Sequence, residues 1–131
     1  LVQFAVSILL TIPHRYELVK TSMTWPAAQG YCRVNYTDLA IILSNKDWLR
    51  LNKETVRKGW KTATLWVGLW KDVNSWRWSL GDLPLQSFPY TNWYPGEPNI
   101  YFRSDGCVAM DIYARWFNEP CTQLRPFVCY N

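Results

Sequence analysis

Two short stretches of the sequence concentrate the oxygen-bearing side chains that bind metal ions. The first, GEPNIYFRSDGC (96–107), carries two carboxylates and an amide: Glu97, Asn99 and Asp105. The second, RWFNEPC (115–121), carries Asn118 and Glu119. Calcium takes about six to eight oxygens from carboxylates, amide carbonyls and water. The two stretches therefore indicate a candidate calcium site, through which a further ligand would be bound.

The cysteines favour disulfides over a zinc site or a catalytic thiol. The four cysteines form no C-x-x-C pair, and the single histidine, His14, lies far from them in the sequence. Zinc therefore lacks its usual ligand spacing, and no Ser-His-Asp or Cys-His pairing can be assembled once the cysteines are bridged. Two disulfides and an oxidising compartment are expected, with three connectivities open and free structural thiols as the alternative. The sequence predicts that the protein is not an enzyme.

Size and charge predict one globular domain. A chain of 131 residues has enough length for a single core of ordinary size. With 49% hydrophobic and 18% charged residues, it is not a disordered chain. The formal net charge of +4 is too small to argue for nucleic acid as a partner.

The first residues, LVQFAVSILLTI, are apolar and uncharged. They are too few to span a bilayer, which needs about 20 residues, and they are typical of a secretory signal whose start is missing. An N-terminal strand and the end of a membrane anchor are the alternatives. We assign residues 1–13 to this leader and residues 14–131 to the domain. The triplet Asn35-Tyr36-Thr37 fits the N-glycosylation rule, which applies if the chain is secreted.

Two helices are predicted in the first half of the chain. Thr24 is a candidate N-cap, and Pro26 lies in the first turn of a helix from about Trp25 to Val34. Ser44 caps the second helix, with Asp47 in the acidic first turn. One face of the second helix carries Trp48, Leu51 and Thr55, and the opposite face carries Lys46, Arg50, Lys53 and Arg57. That basic stripe is either a solvated helix face or a site for an anionic partner such as a sulfated glycan.

Short strands account for most of the rest. HRYELV (14–19), TLWVGLW (64–70) and SWRWSL (75–80) have strand patterns, and LAIIL (39–43) is a buried connection or strand. KDVN makes the turn between the second and third of these strands. Residues 81–106 have little periodicity, and a loop of that length is generally functional. CVAMDI, RWFNE and PFVCYN close the chain as strands, so the order of elements predicts an α+β domain.

Several of these segments, in this order, resemble the C-type lectin-like domain. They are WVGL (66–69), NSWRWSL, NWYPGEPN, the spaced cysteines and the terminal RPFVCY, and the resemblance runs from about His14 to Asn131. It implies two helices flanking small antiparallel sheets with a long loop region. It also implies two disulfides, Cys32–Cys129 and Cys107–Cys121.

The resemblance implies a carbohydrate site that works through calcium. In the family, the proline of GEPN is cis and directs the oxygens of Glu97 and Asn99 toward one ion. This Glu-Pro-Asn order resembles the version that prefers mannose-type sugars, whose hydroxyls coordinate the ion and bond the same side chains. Asp105, two positions before the second cysteine, takes the place of a third ligand, and Asn118 is the fourth candidate.

The second stretch departs from the family pattern. The family has an Asn-Asp pair after the tryptophan five residues before the third cysteine, and this chain has Phe117-Asn118. Asn118 and Glu119 would form the pair only if the strand carried a bulge. With Glu97 and Asp105 as its two carboxylates, the site is expected to bind calcium weakly, at about millimolar concentration.

Two functions remain open after these considerations. The first is an extracellular module, secreted or on a cell surface, that binds mannose-type carbohydrate through calcium. The second is a metal-free protein-interaction module of the same fold, with an apolar loop tip at Ile100, Tyr101 and Phe102. Trp93 and Tyr94 either stack on a sugar ring or anchor the loop. The expected partners are glycans or extracellular proteins, not nucleic acid, with a membrane reached only through an unseen anchor.

Overall fold

The helices and strands alternate early in the chain, and strands follow one another later. The computed structural model describes residues 15–72, 75–98 and 106–131. The first half contains β1 (Tyr16–Met23), α1 (Trp25–Asn35), β2 (Asp38–Leu39), α2 (Asn45–Arg57) and β3 (Leu65–Lys71). The second half contains β4 (Trp76–Trp78), β5 (Leu83–Pro84), β6 (Cys107–Met110), β7 (Trp116–Glu119) and β8 (Arg125–Tyr130). The predicted α+β class is confirmed.

Part of the sequence lies outside these ranges. The predicted leader, residues 1–13, is among it, so the boundary at residue 14 stays a prediction. So are Val73 and Asn74 of the predicted turn. Within the described ranges, no helix has both the length and the apolar character needed to cross a bilayer.

The strands join into one sheet that brings the two ends of the described chain together. The order is β1-β8-β3-β4-β5, with β2 also pairing β8, and with β6 pairing both β3 and β7. The pairs are antiparallel except for β3 and β8, which are parallel at Trp66 and Phe127. The small antiparallel ladders that were expected are therefore connected edge to edge.

Both helices begin at the predicted caps. The Thr24 hydroxyl accepts a hydrogen bond from the Ala27 N–H at 3.4 Å, and the Ser44 hydroxyl accepts one from the Asp47 N–H at 3.2 Å. These bonds satisfy N–H groups that a helix start leaves without a partner. The first helix buries Trp25, Ala28 and Cys32, and the second buries Leu51 and Thr55.

The WVGL segment lies at the centre of the core, as predicted. Trp66, Val67 and Leu69 of β3 are fully buried. The Trp25 indole N–H donates to the Val67 carbonyl at 2.8 Å, which fixes α1 on the sheet. The predicted disulfides are confirmed as Cys32–Cys129, joining α1 to β8, and Cys107–Cys121, joining the start of β6 to the turn after β7.

Residues 81–98 of the predicted loop contain more regular structure than their sequence pattern indicates. Leu83 and Pro84 pair with Trp78 and Arg77 of β4, and Leu85–Ser87 forms a 3₁₀ turn. Trp93 forms an isolated bridge with Trp116 of β7. The loop is therefore held against the sheet at two places before it reaches residue 97.

Candidate functional site

Two of the predicted site residues, Glu97 and Asn118, come together at the junction of the loop and β7. Glu97 Oε1 accepts a hydrogen bond from the Asn118 backbone N–H at 2.9 Å. The Glu97-Pro98 peptide is cis, as the resemblance implies. Asn99 and Asp105, the other two predicted site residues, lie outside the described residues, as does the tip at Ile100, Tyr101 and Phe102.

Backbone hydrogen bonds position the loop on β7. The Trp116 N–H donates to the Asn92 carbonyl at 2.9 Å, and the Tyr94 N–H donates to the Trp116 carbonyl at 3.0 Å. The Asn92 side-chain amide donates to the Ala114 carbonyl at 2.7 Å. A turn closed by the Glu97 N–H and the Tyr94 carbonyl then places the Glu97 carboxylate at the strand.

The β6–β7 pairing decides which residues can replace the family's Asn-Asp pair. Four consecutive pairs, from Cys107 with Glu119 to Met110 with Trp116, keep a continuous register. No bulge shifts Asn118 and Glu119 into the Asn-Asp positions. The Glu119 carboxylate instead lies 3.5 Å from the Arg125 guanidinium.

Asn118 is on the buried face of β7. It is 3% exposed, and a Cβ added to Gly106 would lie 2.3 Å from its Oδ1. The amide therefore occupies space that only a glycine at position 106 leaves free. Since Gly106 directly follows Asp105, this contact brings Asn118 to the end of the first oxygen-rich stretch.

Phe117 faces the other side of β7 and stacks on the loop. Its ring lies 4.9 Å from the ring of Tyr94, with 25° between the planes. The Arg115 guanidinium lies 4.9 Å from the Tyr94 ring and 5.0 Å from the Tyr113 ring. Asp111 holds Arg115 with a 2.8 Å bond. We call Phe117, Tyr94, Arg115 and Tyr113 the aromatic ladder.

Four tryptophans, two of them fully buried and two half-buried, pack beneath this surface. Trp93 lies 5.0 Å from Trp76 and 5.5 Å from Trp116, and Trp78 lies 5.7 Å from Trp116, all edge to face. Such pairs add about 0.5–1.5 kcal/mol each beyond the area they bury. Trp93, half-buried among them, is thus placed as a loop anchor, whereas Tyr94 is exposed. Burial, with the charge of Asp47, raises the pKa of the nearby Tyr90.

The described residues offer calcium a reduced set of oxygens. Phe117 brings no side-chain oxygen, and Asn118 brings a neutral amide where the family has a carboxylate. Within the described part of the chain, no group of three or more His, Cys, Asp or Glu residues lies close enough to hold a metal ion. A calcium site there would depend on Glu97 together with Asn99 and Asp105.

Sequence reasoning missed Tyr113 and Arg115 as candidate functional residues. The signal was present in YARWF (113–117), where Tyr113, Arg115 and Phe117 alternate with small or buried residues. Tyr113 and Arg115 precede β7 in a turn where Ala114 has a φ of 68°, so the side-chain alternation of a strand does not apply to them. The clustering of aromatic residues and arginine in this segment was the available signal, and the turn decides which of them meet.

Asn35 of the predicted glycosylation triplet is the last residue of α1 and is exposed. Its side-chain amide donates to the Tyr31 carbonyl at 3.0 Å. The exposure leaves the position accessible, and its glycosylation stays a prediction.

Comparisons with known proteins agree with this fold. The family model described as Lectin C-type domain matches residues 21–131. E-selectin of Rattus norvegicus is 31% identical over 120 residues, which cover 88% of this chain and 21% of E-selectin. C-type lectin lectoxin-Phi1 of Philodryas olfersii is 29% identical over 121 residues, covering 87% of this chain and 74% of that protein. The chain therefore spans only about a fifth of the length of the selectin it matches.

Solved structures give the same result. Human lithostathine superposes with a TM-score of 0.77 at 24% identity, covering 89% of this chain and 90% of that one. The cow C-type carbohydrate-recognition domain of CD23 superposes with a TM-score of 0.73 at 27% identity, covering 90% of this chain and 87% of that one. Because the family model takes in most of the sequence, the disulfides and the described fold, the chain belongs to the C-type lectin domain family.

Proposed function

We propose that this domain is an extracellular recognition module that binds carbohydrate at the surface formed by Tyr94, Glu97 and Phe117, with calcium contributing weakly. The observation that carries the proposal is the stack of Tyr94 on Phe117, the residue that takes the place of a calcium ligand of the family. It lies beside a carboxylate already fixed by the Asn118 N–H. Aromatic faces and a fixed hydrogen-bonding group are what small-ligand sites combine. The cow CD23 domain, whose structure was determined in the presence of GlcNAc2Man3 oligosaccharide, makes a mannose-type glycan the first ligand to test.

Among the described residues, only one Glu97 oxygen has a hydrogen-bond partner. Oε1 accepts from the Asn118 N–H, and we propose that Oε2 accepts from a sugar hydroxyl. A sugar hydroxyl donating to Oε2 would lie beside the exposed Tyr94 ring. Phe117 and Arg115 contact the Tyr94 ring, so the sugar packs against the exposed edge of that ring. This packing and one charge-assisted hydrogen bond then orient the sugar through residues of this chain. Calcium at Glu97, Asn99, Asp105 and Asn118 would add to this binding, at about millimolar concentration because two carboxylates face one divalent ion.

The test is glycan binding by the oxidised chain with and without calcium. A GlcNAc2Man3 oligosaccharide is titrated in chelator and in about 5 mM calcium, a concentration above the affinity range of extracellular calcium modules. Tryptophan fluorescence and the melting temperature follow each titration, since Trp93 adjoins Tyr94. We expect binding in chelator, a modest gain with calcium, and loss in Tyr94→Ala. Tyr113→Ala, which removes an exposed ring one step along the ladder, is the matched control.

A rebuilt site calibrates the calcium response. Phe117→Asn with Asn118→Asp restores the family's pair, and we expect this double variant to gain a saturable, chelator-reversed calcium response. Glu97→Gln in the same background should remove it. If the native chain binds the oligosaccharide only in calcium, the calcium-mediated mode replaces our proposal. If it binds no oligosaccharide in either condition, carbohydrate recognition here is refuted.

One observation favours a second candidate, a metal-free protein-interaction module. Arg115 is held between Tyr94 and Tyr113 and fixed by Asp111, so an arginine and two exposed tyrosines are pre-organised on one surface. Tyrosine and arginine are enriched where protein interfaces concentrate their binding energy. This candidate predicts a calcium-insensitive melting temperature. It also predicts binding to cells that survives enzymatic removal of glycans and is lost in Arg115→Ala.

A further inference from the structure

The net positive charge of the chain is concentrated in one segment, far in sequence from the aromatic ladder. Residues 45–61 contain six of the fourteen basic residues and two of the ten acidic ones, and the remaining eight of each sign balance. The segment therefore carries the whole formal charge of +4. It consists of α2 and the turn that follows it.

Both acidic residues of this segment are used for backbone hydrogen bonds. Asp47 Oδ2 accepts from the Leu43 N–H at 2.9 Å, at the start of α2. Glu54 Oε2 accepts from the Tyr16 N–H of β1. Burial is the main cause that raises the pKa of the Tyr16 hydroxyl; the charges of Asp47 and Glu54 also raise it, and that of Arg50 lowers it. Both carboxylates are thus held by backbone N–H groups of the protein.

The solvent side of α2 carries a straight row of cations. Lys46, Arg50, Lys53 and Arg57 are separated by four, three and four residues, which at about 100° per residue places them within about 60° of one another. With a rise of about 1.5 Å per residue, the row is about 16 Å long. Lys46, Lys53 and Arg57 are exposed and Arg50 is half-buried. None of the four makes an ion pair with a described residue.

A rigid, unpaired line of positive charge is complementary to a linear polyanion. If these cations were paired with carboxylates of the protein, the pairs would have to break before a polyanion bound. No described carboxylate forms such a pair with the row, so this cost does not arise from the described residues. Because the chain has two disulfides, we expect it in an oxidising compartment, and sulfated polysaccharides are among the linear polyanions found there. Arginine and lysine suit sulfate as they suit phosphate, a tetrahedral anion of similar shape.

We infer that the outer face of α2, formed by Lys46, Arg50, Lys53 and Arg57, is a binding site for a sulfated polysaccharide chain. The site does not depend on calcium or on the aromatic ladder. It would hold the domain on sulfated matrix or cell-surface glycans while the loop surface engages its own ligand.

The test is the salt dependence of binding to a heparin oligosaccharide, measured in chelator with the oxidised full chain. Released counterions give a slope of log K against log salt of about −0.7 to −0.9 per contact. Four contacts therefore predict roughly 50- to 150-fold weaker binding when NaCl rises from 50 to 200 mM. Lys53→Gln should reduce this ratio to roughly 20- to 40-fold, since one contact is lost. Lys71→Gln, the same change at the end of β3, should leave it unchanged.

Three results would overturn the inference. Equal effects of Lys53→Gln and Lys71→Gln would mean that total charge, and not the row, attracts the polyanion. Equal affinity for hyaluronan, which has carboxylates but no sulfates, would remove the sulfate specificity. Tighter binding to phosphatidylserine vesicles or to single-stranded DNA than to heparin would assign the face to a different anion. Tyr94→Ala should not change heparin binding, which separates this site from the proposed carbohydrate surface.

Discussion

Gly106→Ala tests the packing on which the candidate site is built. Its new Cβ would lie 2.3 Å from Asn118 Oδ1 and 3.1 Å from the Trp76 ring, and the first of these distances is too short for any real contact. Asn118 is 3% exposed and its strand is held by regular pairing, so the amide has little room to move. Overpacking of a buried site costs about 1–3 kcal/mol. We expect Gly106→Ala to lower the free energy of unfolding by that amount.

The matched control is the same substitution at Gly30. An added Cβ at Gly30 meets nothing within 4 Å, and the residue lies inside α1. Alanine in a helix interior is about 0.5–1 kcal/mol better than glycine, and both substitutions reduce the entropy of the unfolded chain alike. The two variants should therefore differ by roughly 1.5–4 kcal/mol, with opposite signs relative to the native chain.

Thermal unfolding measures both effects. For a chain of this length, 1 kcal/mol shifts the melting temperature by about 4 °C, so Gly106→Ala should melt roughly 4–12 °C lower and Gly30→Ala about 2–4 °C higher. Asn118→Ala removes the oxygen that clashes, and in that background Gly106→Ala should cost at least about 1 kcal/mol less. Equal stability of the two glycine variants, or no coupling between positions 106 and 118, would refute the placement of the Asn118 amide.

Three more predictions concern the stability of the fold. Asp38 is 3% exposed and accepts bonds from the Ser79 hydroxyl and the Arg33 guanidinium, so Asp38→Ala should lower the free energy of unfolding in urea by about 2–4 kcal/mol. Burial raises the pKa of Tyr16 and Tyr130 above the ordinary 10.0. Since only the unfolded chain then ionises them near pH 10, stability should be full below that pH and fall above it by about 1.4 kcal/mol per pH unit per tyrosine. Tyr16→Phe should remove one tyrosine's share of that slope. Cys107 and Cys121 close a loop with a sequence separation of 14, and Cys32 and Cys129 one of 97. Replacing each pair with alanine should cost about 3 and about 4.7 kcal/mol respectively on the chain-entropy model, measured by denaturant unfolding.

The elements that the sequence predicts well are those whose signals are local. Thr24 and Ser44 cap their helices through bonds to residues three positions ahead, and such bonds can be anticipated from the order of residues alone. The end of β1, in contrast, is set by a residue that is distant in the sequence. The strand continues past Val19 to Met23 because Met23 is opposite Arg125 of β8, across an irregular stretch of pairing. Pairing with a distant strand, and not the alternation of side chains, sets that boundary.

The candidate site also has some features that the sequence predicts and others that depend on contacts between distant residues. Its composition was predictable from GEPN and the departure at Phe117, but only by way of the family resemblance. The burial of Asn118 was not predictable, because it depends on the missing Cβ of Gly106 across the β6–β7 pair. Nor was the stack of Phe117 on Tyr94, which exists because the Tyr94 N–H is bonded to the Trp116 carbonyl.

The two differences from the family's Asn-Asp pair, Phe117 and Asn118, both weaken calcium binding. An aspartate at position 118, 3% exposed, would be a buried charge that needs a cation beside it to offset its desolvation. Asparagine is neutral there and needs none. Phenylalanine at 117 replaces a ligand oxygen with a ring that packs on Tyr94, so the loop is held on β7 by dispersion and backbone bonds. Restoring only Phe117→Asn would therefore remove the stack without supplying the missing charge, and restoring only Asn118→Asp would bury a charge without completing the pair. A strong calcium response requires both changes at once, which is why we propose weak calcium binding for the native chain.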